Sequence, residues 1–178
     1  MIDSWMNRGV AHFENLGAKA TGVRVHDQQT AHDTALAAQI RQANFVYLSG
    51  GKPNYLYEVM HGSPVWEAIV SVHESGGIVA GCSAGAMIMG AQFVYSGATQ
   101  AFGLVPNSVI IPHFDEFPGF LSRVMSLFKN SSLNMFGIDG YTALVVQDDQ
   151  YTVEGLGGVT LIQQSGKTRY THGEIITP

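Results

Sequence analysis

A chain of 178 residues is long enough for one packed core and short for two, since domains cluster at roughly 100–150 residues. Charged residues make up only 13% of it, about half the ~25% usual in a soluble domain, so much of its surface is uncharged or covered. Nine Lys and Arg against fourteen Asp and Glu give a net charge of −5, which offers no basic stripe for nucleic acid. No apolar run approaches the ~20 residues of a membrane span, and no basic-then-apolar leader follows Met1, so a soluble, cytoplasmic protein is expected. The single cysteine, Cys82, excludes an internal disulfide and a cysteine-based zinc site, and nothing in the composition calls for a cofactor.

Residues 3–16 read as an amphipathic helix, with Asp3 or Ser4 as cap, Trp5, Met6, Val10 and Phe13 on one face, and Gly17 as terminator. A strand is expected at Ala20–Val25, then a helix capped by Asp33 through Leu36, Ile40 and Ala43. The apolar run Phe45–Leu48 ends at Ser49-Gly50-Gly51, as a buried strand running into a glycine loop does. Pro64, the periodic Val65, Ile69 and Val72, and the stop at Gly76-Gly77 predict a helix before the strand Ile78–Ala80. Val109–Ile111 is a further strand, followed by a polar corner at 112–116 and an apolar-periodic stretch through Phe120, Val124, Leu127 and Phe128. Beyond it, Ala143–Val146, Tyr151–Val153, Val159–Ile162 and Arg169–Tyr170 alternate with turn residues and read as antiparallel hairpins. This order predicts an α/β fold over residues 1–178 as one domain, a three-layer sandwich with a mostly parallel sheet and carboxy-terminal hairpins.

The segment richest in chemistry is Gly81-Cys82-Ser83-Ala84-Gly85, a G-x-S-x-G sequence between a predicted strand and a helical stretch. A strand-to-helix turn this sharp forces the serine into a strained conformation, and flanking side chains would clash, hence the glycines. Ser83 is then offered as a nucleophile at a helix start, where backbone N–H groups and the helix dipole favour an oxyanion. A glycine-rich turn without chemistry is the plain alternative. A serine needs a base, and His113 lies just beyond the strand Val109–Ile111, at the end of a parallel sheet where sites form. Gly50-Gly51 closes another strand, and its amides together with that of Ala84 could hold an oxyanion.

In this combination the chain resembles the peptidase E and cyanophycinase family of serine peptidases, whose domain is similar to class I glutamine amidotransferases. The resemblance is carried by Tyr47-Leu-Ser-Gly-Gly51, Gly76-Gly-Ile-Val-Ala-Gly-Cys-Ser-Ala-Gly-Ala86, Ile111-Pro-His-Phe114, Gly137-Ile-Asp139 and Thr142-Ala-Leu-Val-Val146. It implies a flavodoxin-like sheet, Ser83 as nucleophile, His113 as general base, Gly51 and Ala84 as oxyanion-hole residues, and a short or aspartyl peptide as substrate. Against the family pattern, residues 84–112 contain no Asp or Glu to orient the histidine, which leaves Gln100, Asp115 and Glu116 as candidates. Gly140 stands where many relatives carry Glu, and Arg123 or Lys52 would have to supply the cation for an acidic substrate. The chain also begins after the family's first strands, so it is expected to be amino-terminally short and to have its sheet covered by an identical chain, as a homo-oligomer, by separately bound amino-terminal residues, or by direct pairing of Ala20–Val25 with Phe45–Leu48.

An α/β-hydrolase would place its acid and histidine late in the chain, and a glutaminase of the amidotransferase type would use cysteine where Ser83 stands. Cys82 is expected in the core as a small apolar residue. The reading from another class is a non-catalytic binding or regulatory module that keeps the fold.

Overall fold

The computed structural model describes residues 2–94, 98–116 and 131–178. The chain forms two compact units, residues 1–47 with 58–79, and residues 48–57 with 80–178.

The first unit opens with helix α1 (Ile2–Asn15). Phe13 packs edge-on to Phe45 and Tyr47, at ring separations of 5.4 and 5.3 Å. Trp5, expected on the same face, instead points to water under the Arg8 guanidinium, 4.7 Å from its ring centre. Helices α2 (Gln28–Ala31) and α3 (Thr34–Ile40) follow, each capped by an aspartate. The Asp27 carboxylate accepts from Thr30 N while the Thr30 hydroxyl accepts from Asp27 N, and Asp33 accepts from Ala35 N and Leu36 N. The strand expected at Ala20–Val25 does not form. Val25 N–H bonds back to Val23 O, a local turn, and the segment lies against the Met6 side chain at Gly22, whereas a strand needs a neighbour to take its backbone groups.

Strand β1 (Phe45–Leu48) leads to helix α4 (Pro53–Met60), which the sequence reading did not mark, and then to α5 (Pro64–Glu74). Pro64 occupies the first turn of α5, and the buried Ser63 caps it by accepting from Trp66 N. Strand β2 (Ile78–Gly81) pairs with β1. Ile78 N to Asn44 O and Cys82 N to Leu48 O, both 3.0 Å, keep one offset along the pair, so the strands are parallel.

The second unit is built on a six-stranded sheet. It comprises β3 (Gln92–Val94), β4 (Ala98–Gln100), β5 (Ser108–Pro112), β6 (Asn134–Ile138), β9 (Gly158–Gln163) and β10 (Gly166–Thr171), in the order β10-β9-β6-β5-β3-β4. The pairs β3–β5 and β5–β6 are parallel, and the carboxy-terminal strands join antiparallel, as the alternation and hairpin signals indicate. A three-stranded sheet of β7 (Thr142–Gln147), β8 (Gln150–Gly155) and β11 (Ile175–Ile176) completes the unit. Period-two alternation sorts the core. Ile110, Phe136, Val159 and Leu161 face Tyr151, Val153 and Ile176, with Phe136 stacked on Tyr151, while Val109, Ile111, Met135 and Ile162 form a second cluster. The apolar-periodic stretch around Val124 lies outside the described residues. Among the described residues no helix is long and apolar enough to cross a membrane.

Candidate active site

Ser83 sits between β2 and a short helix, α6 (Ala84–Met87), with φ 51° and ψ −118°. That conformation is costly for a residue with a side chain, and it persists only because the surroundings enforce it. The flanking glycines show how. A β-carbon on Gly81 would lie 2.6 Å from the Gly85 carbonyl, and one on Gly85 would lie within van der Waals radii of the Leu48 carbonyl. The turn therefore closes onto itself and onto the end of β1, and Ser83 is half-buried at its apex. Ala84, buried, is the first residue of α6, so its N–H has no place in the helix ladder. With only four residues, α6 is shorter than the sequence suggested and adds little dipole.

The glycine loop after β1 is brought against the serine. A β-carbon on Gly50 would lie 3.0 Å from Ser83 Cβ and 3.4 Å from Oγ, so the loop can approach this closely only with glycine there. Gly51 follows at φ 148°, a backbone conformation side chains rarely adopt. The loop residue directly against the Ser83 side chain is Gly50. Cys82, expected in the core, is only half-buried, at the turn that follows β2.

His113 immediately follows β5, also at positive φ (55°), with Pro112 fixing the chain before it. A tight turn, closed by Glu116 N to His113 O at 3.1 Å, swings Glu116 back so that its Oε2 lies 3.6 Å from His113 Nδ1. Of the three candidates for orienting the imidazole, this is the carboxylate that reaches it. Asp115 faces the neighbouring strand, where its Oδ1 accepts from Gly140 N at 2.9 Å. Gln100 is aligned through Gln92 with Val109. Two strand spacings and four residues along β5 put it roughly 16 Å from His113, out of reach. Arg123 lies outside the described residues, and Lys52 is exposed beside Gly51. Among the described residues no group of three or more His, Cys, Asp or Glu is placed to hold a metal.

The residues after β6 brace this corner. Asp139, which immediately follows β6 as His113 follows β5, is buried and accepts from Arg169 Nη2 at 2.5 Å and Gly158 N at 3.0 Å.

A strained serine between two sterically required glycines, at a strand-to-helix turn of an α/β framework, has the backbone geometry of the G-x-S-x-G turn. The chain belongs to Peptidase family S51, whose family model matches residues 2–154. It is 25% identical over 180 residues to a cyanophycinase of Trichormus variabilis and 22% identical over 183 residues to one of Synechococcus elongatus, each alignment covering 93% of this chain. It spans 59% and 57% of the length of those two relatives. The crystal structure of a peptidase from an acI-B1 Actinobacterium superposes with a TM-score of 0.90 at 29% identity, over 99% of this chain and 77% of that one.

Proposed function

We propose that the protein is a serine-type peptidase acting on short peptides, with Ser83 as nucleophile and His113 as general base. The observation that carries this is the Ser83 conformation, φ 51° and ψ −118°, held with Gly50 against its side chain. A purely structural serine has no need of that strain. In the reaction Ser83 Oγ attacks the peptide carbonyl while its proton passes to His113 Nε2. The N–H groups of Gly51 and Ala84 receive the developing oxyanion, and His113 returns the proton to the departing amine. Water then attacks the acyl-enzyme and frees Ser83. Glu116, beside Nδ1, favours the tautomer that leaves Nε2 unprotonated and stabilises the imidazolium that forms.

The relatives named cyanophycinase and the peptidase of similar structure support a peptide substrate, and the family resemblance points to aspartyl peptides. The exposed Asp115 and Glu116 at the base disfavour an acidic group there, so an acidic side chain would bind on the Lys52 side of Ser83. A fluorophosphonate probe tests the reading. Covalent labelling at Ser83, lost in Ser83→Ala and slowed in His113→Ala, is expected. An intact protein that is never labelled at Ser83 overturns it and leaves a binding module.

A further inference from the structure

The ring of Phe114 occupies the place where a side chain on Gly137 would stand. A β-carbon on Gly137 would lie 2.5 Å from Phe114 Cγ and 2.7 Å from Cε2, closer than such atoms approach in any protein. Gly137 is paired with Ile111 in the interior of β6 and is not among the glycines at positive φ, so its backbone does not call for glycine. The ring does. A glycine inside a strand marks such a close approach.

Phe114 is also what ties the corner after β5 to the rest of the unit. Its neighbours His113, Asp115 and Glu116 are exposed, whereas Phe114 is half-buried and packs on the cluster of Val94, Val109, Ile111, Met135 and Ile162. Its N–H donates to Ile138 O, the residue after Gly137, at 3.1 Å. Ring and backbone of one residue thus both engage β6. His113 precedes it at φ 55°, a conformation that a residue with a side chain keeps only where its neighbours enforce it. Pro112 fixes the chain on one side of His113, and Phe114 fixes it on the other. The Cα atoms of His113 and Phe114 are about 3.8 Å apart across one rigid peptide unit, so a displacement of Phe114 reaches His113 with little loss.

We propose that Phe114, seated on Gly137, is the positioning residue of the base: it holds the strained backbone of His113 and thereby aims the imidazole at Ser83. The inference rests on the reading of Ser83 and His113 as the reacting pair. Glycine at 137 then answers to the geometry of the reaction and not to the needs of β6. To clear an added methyl group the ring must retreat by roughly 1 Å to reach an ordinary carbon–carbon separation. A displacement of that size costs about 10²-fold in rate when it reaches the reacting atoms in full, and rotation of the ring absorbs part of it. A loss of about tenfold follows.

The test pairs the two positions. Labelling of Ser83 by a fluorophosphonate is followed against probe concentration in the unsubstituted protein, Gly137→Ala, Phe114→Ala and the double variant, each with a thermal melt. Gly137→Ala should lower the maximal labelling rate about tenfold and leave the half-saturating probe concentration within twofold. With alanine at 114 the added methyl has no ring to displace, so the double variant should label within twofold of Phe114→Ala, itself slowed at least tenfold. An unchanged rate in Gly137→Ala, or losses that add in the double variant, overturns the proposal. If either single variant fails to fold, Phe114→Leu decides: a loss of threefold or more in maximal rate upholds the seat, and an unchanged rate overturns it. The NMR signal of the His113 ring, assigned by its loss in His113→Gln, reports without chemistry. It should move in Gly137→Ala while those of the other histidines stay, and an unmoved signal overturns the proposal. An unsubstituted protein that never labels at Ser83 sinks the peptidase reading, and the His113 signal then judges the seat by itself.

Discussion

Gly50 lies directly against Ser83, so tightly that a methyl group would press on it: an added β-carbon would be 3.0 Å from the serine Cβ and 3.4 Å from its hydroxyl. The contact joins the loop that follows β1 to the turn that follows β2, and in the proposed mechanism it would set how near the Gly51 amide comes to the Ser83 hydroxyl. Gly50→Ala should therefore displace Ser83 by a few tenths of an ångström without unfolding the elbow. Catalytic geometry is sensitive on this scale, with a 1 Å displacement costing about 10²-fold, so a loss of about tenfold in kcat is expected. Steady-state kinetics beside a thermal melt checks it. Unchanged kcat with unchanged melting would show that the loop does not position the serine.

Cys82 and Ser83 are adjacent, and only one is at the apex of the elbow. Ser83→Ala should abolish fluorophosphonate labelling and peptide hydrolysis, whereas Cys82→Ser should leave both within a few-fold. The half-buried Cys82 lies before the apex of the turn rather than at it, and Ser replaces it with little change in volume. Loss of activity in Cys82→Ser with activity retained in Ser83→Ala would reverse the assignment.

Glu116 and Asp115 are neighbours in sequence with different tasks. Glu116 faces the imidazole at 3.6 Å, and Asp115 ties down Gly140. Both carboxylates are exposed, so Glu116→Gln should cost less than the ~10⁴ seen for a buried triad acid, about 10–100-fold, and the loss should fall on kcat rather than KM. Asp115→Asn keeps an oxygen acceptor for Gly140 and should fall less than fivefold. An equal effect of the two substitutions would mean that Glu116 acts through the turn rather than through His113.

The parts of this site that were legible in the sequence are those fixed by local sterics. Gly81, Ser83 and Gly85 announce the elbow because the turn admits no side chains at the flanking positions, and Phe45–Leu48 announces its strand through its short continuous run. Ala20–Val25 looked like a strand by composition, yet a strand exists only where a partner takes its hydrogen bonds, and no local pattern encodes that partner. The choice among Gln100, Asp115 and Glu116 was open for the same reason. It depends on strand register and on the tightness of one turn after Pro112, which bring Glu116 to the ring and send Gln100 along β4 away from it.

Helix α2 carries an acid-sensitive cap. Thr30 N–H, and then the Thr30 hydroxyl, donate to the Asp27 carboxylate and hold its pKa below the ordinary aspartate range. A depressed carboxylate contributes stability that is present above its unfolded pKa, near 4, and is lost as pH falls through the lower folded value. Amide exchange at Thr30 and Ala31, followed by NMR while the pH is lowered from 5, should accelerate as that value is crossed. Asp27→Asn caps without titrating and should remove the dependence. Identical exchange profiles in the two proteins would show that the cap does not respond to acid.

Arg169 reaches from β10 to the carboxylate of Asp139, which is 5% exposed, while Arg169 itself is half-exposed. Asp139 also takes the Gly158 amide, so one buried carboxylate fastens the strand ends beside His113. Removing only the arginine leaves that carboxylate buried against the Gly158 N–H, its other oxygen buried without a hydrogen-bond partner among the described residues. A fully buried pair broken in this way costs about 3–5 kcal/mol, and the exposure of Arg169 lowers the expectation for Arg169→Ala to roughly 1–3 kcal/mol. Asp139→Asn neutralises the charge, so the double variant should recover part of that loss, a coupling that urea denaturation of the four proteins measures directly. If the two losses simply add, the ion pair contributes nothing beyond its separate contacts. The brace at the His113 corner would then rest on the backbone bonds of Asp139 and Gly140.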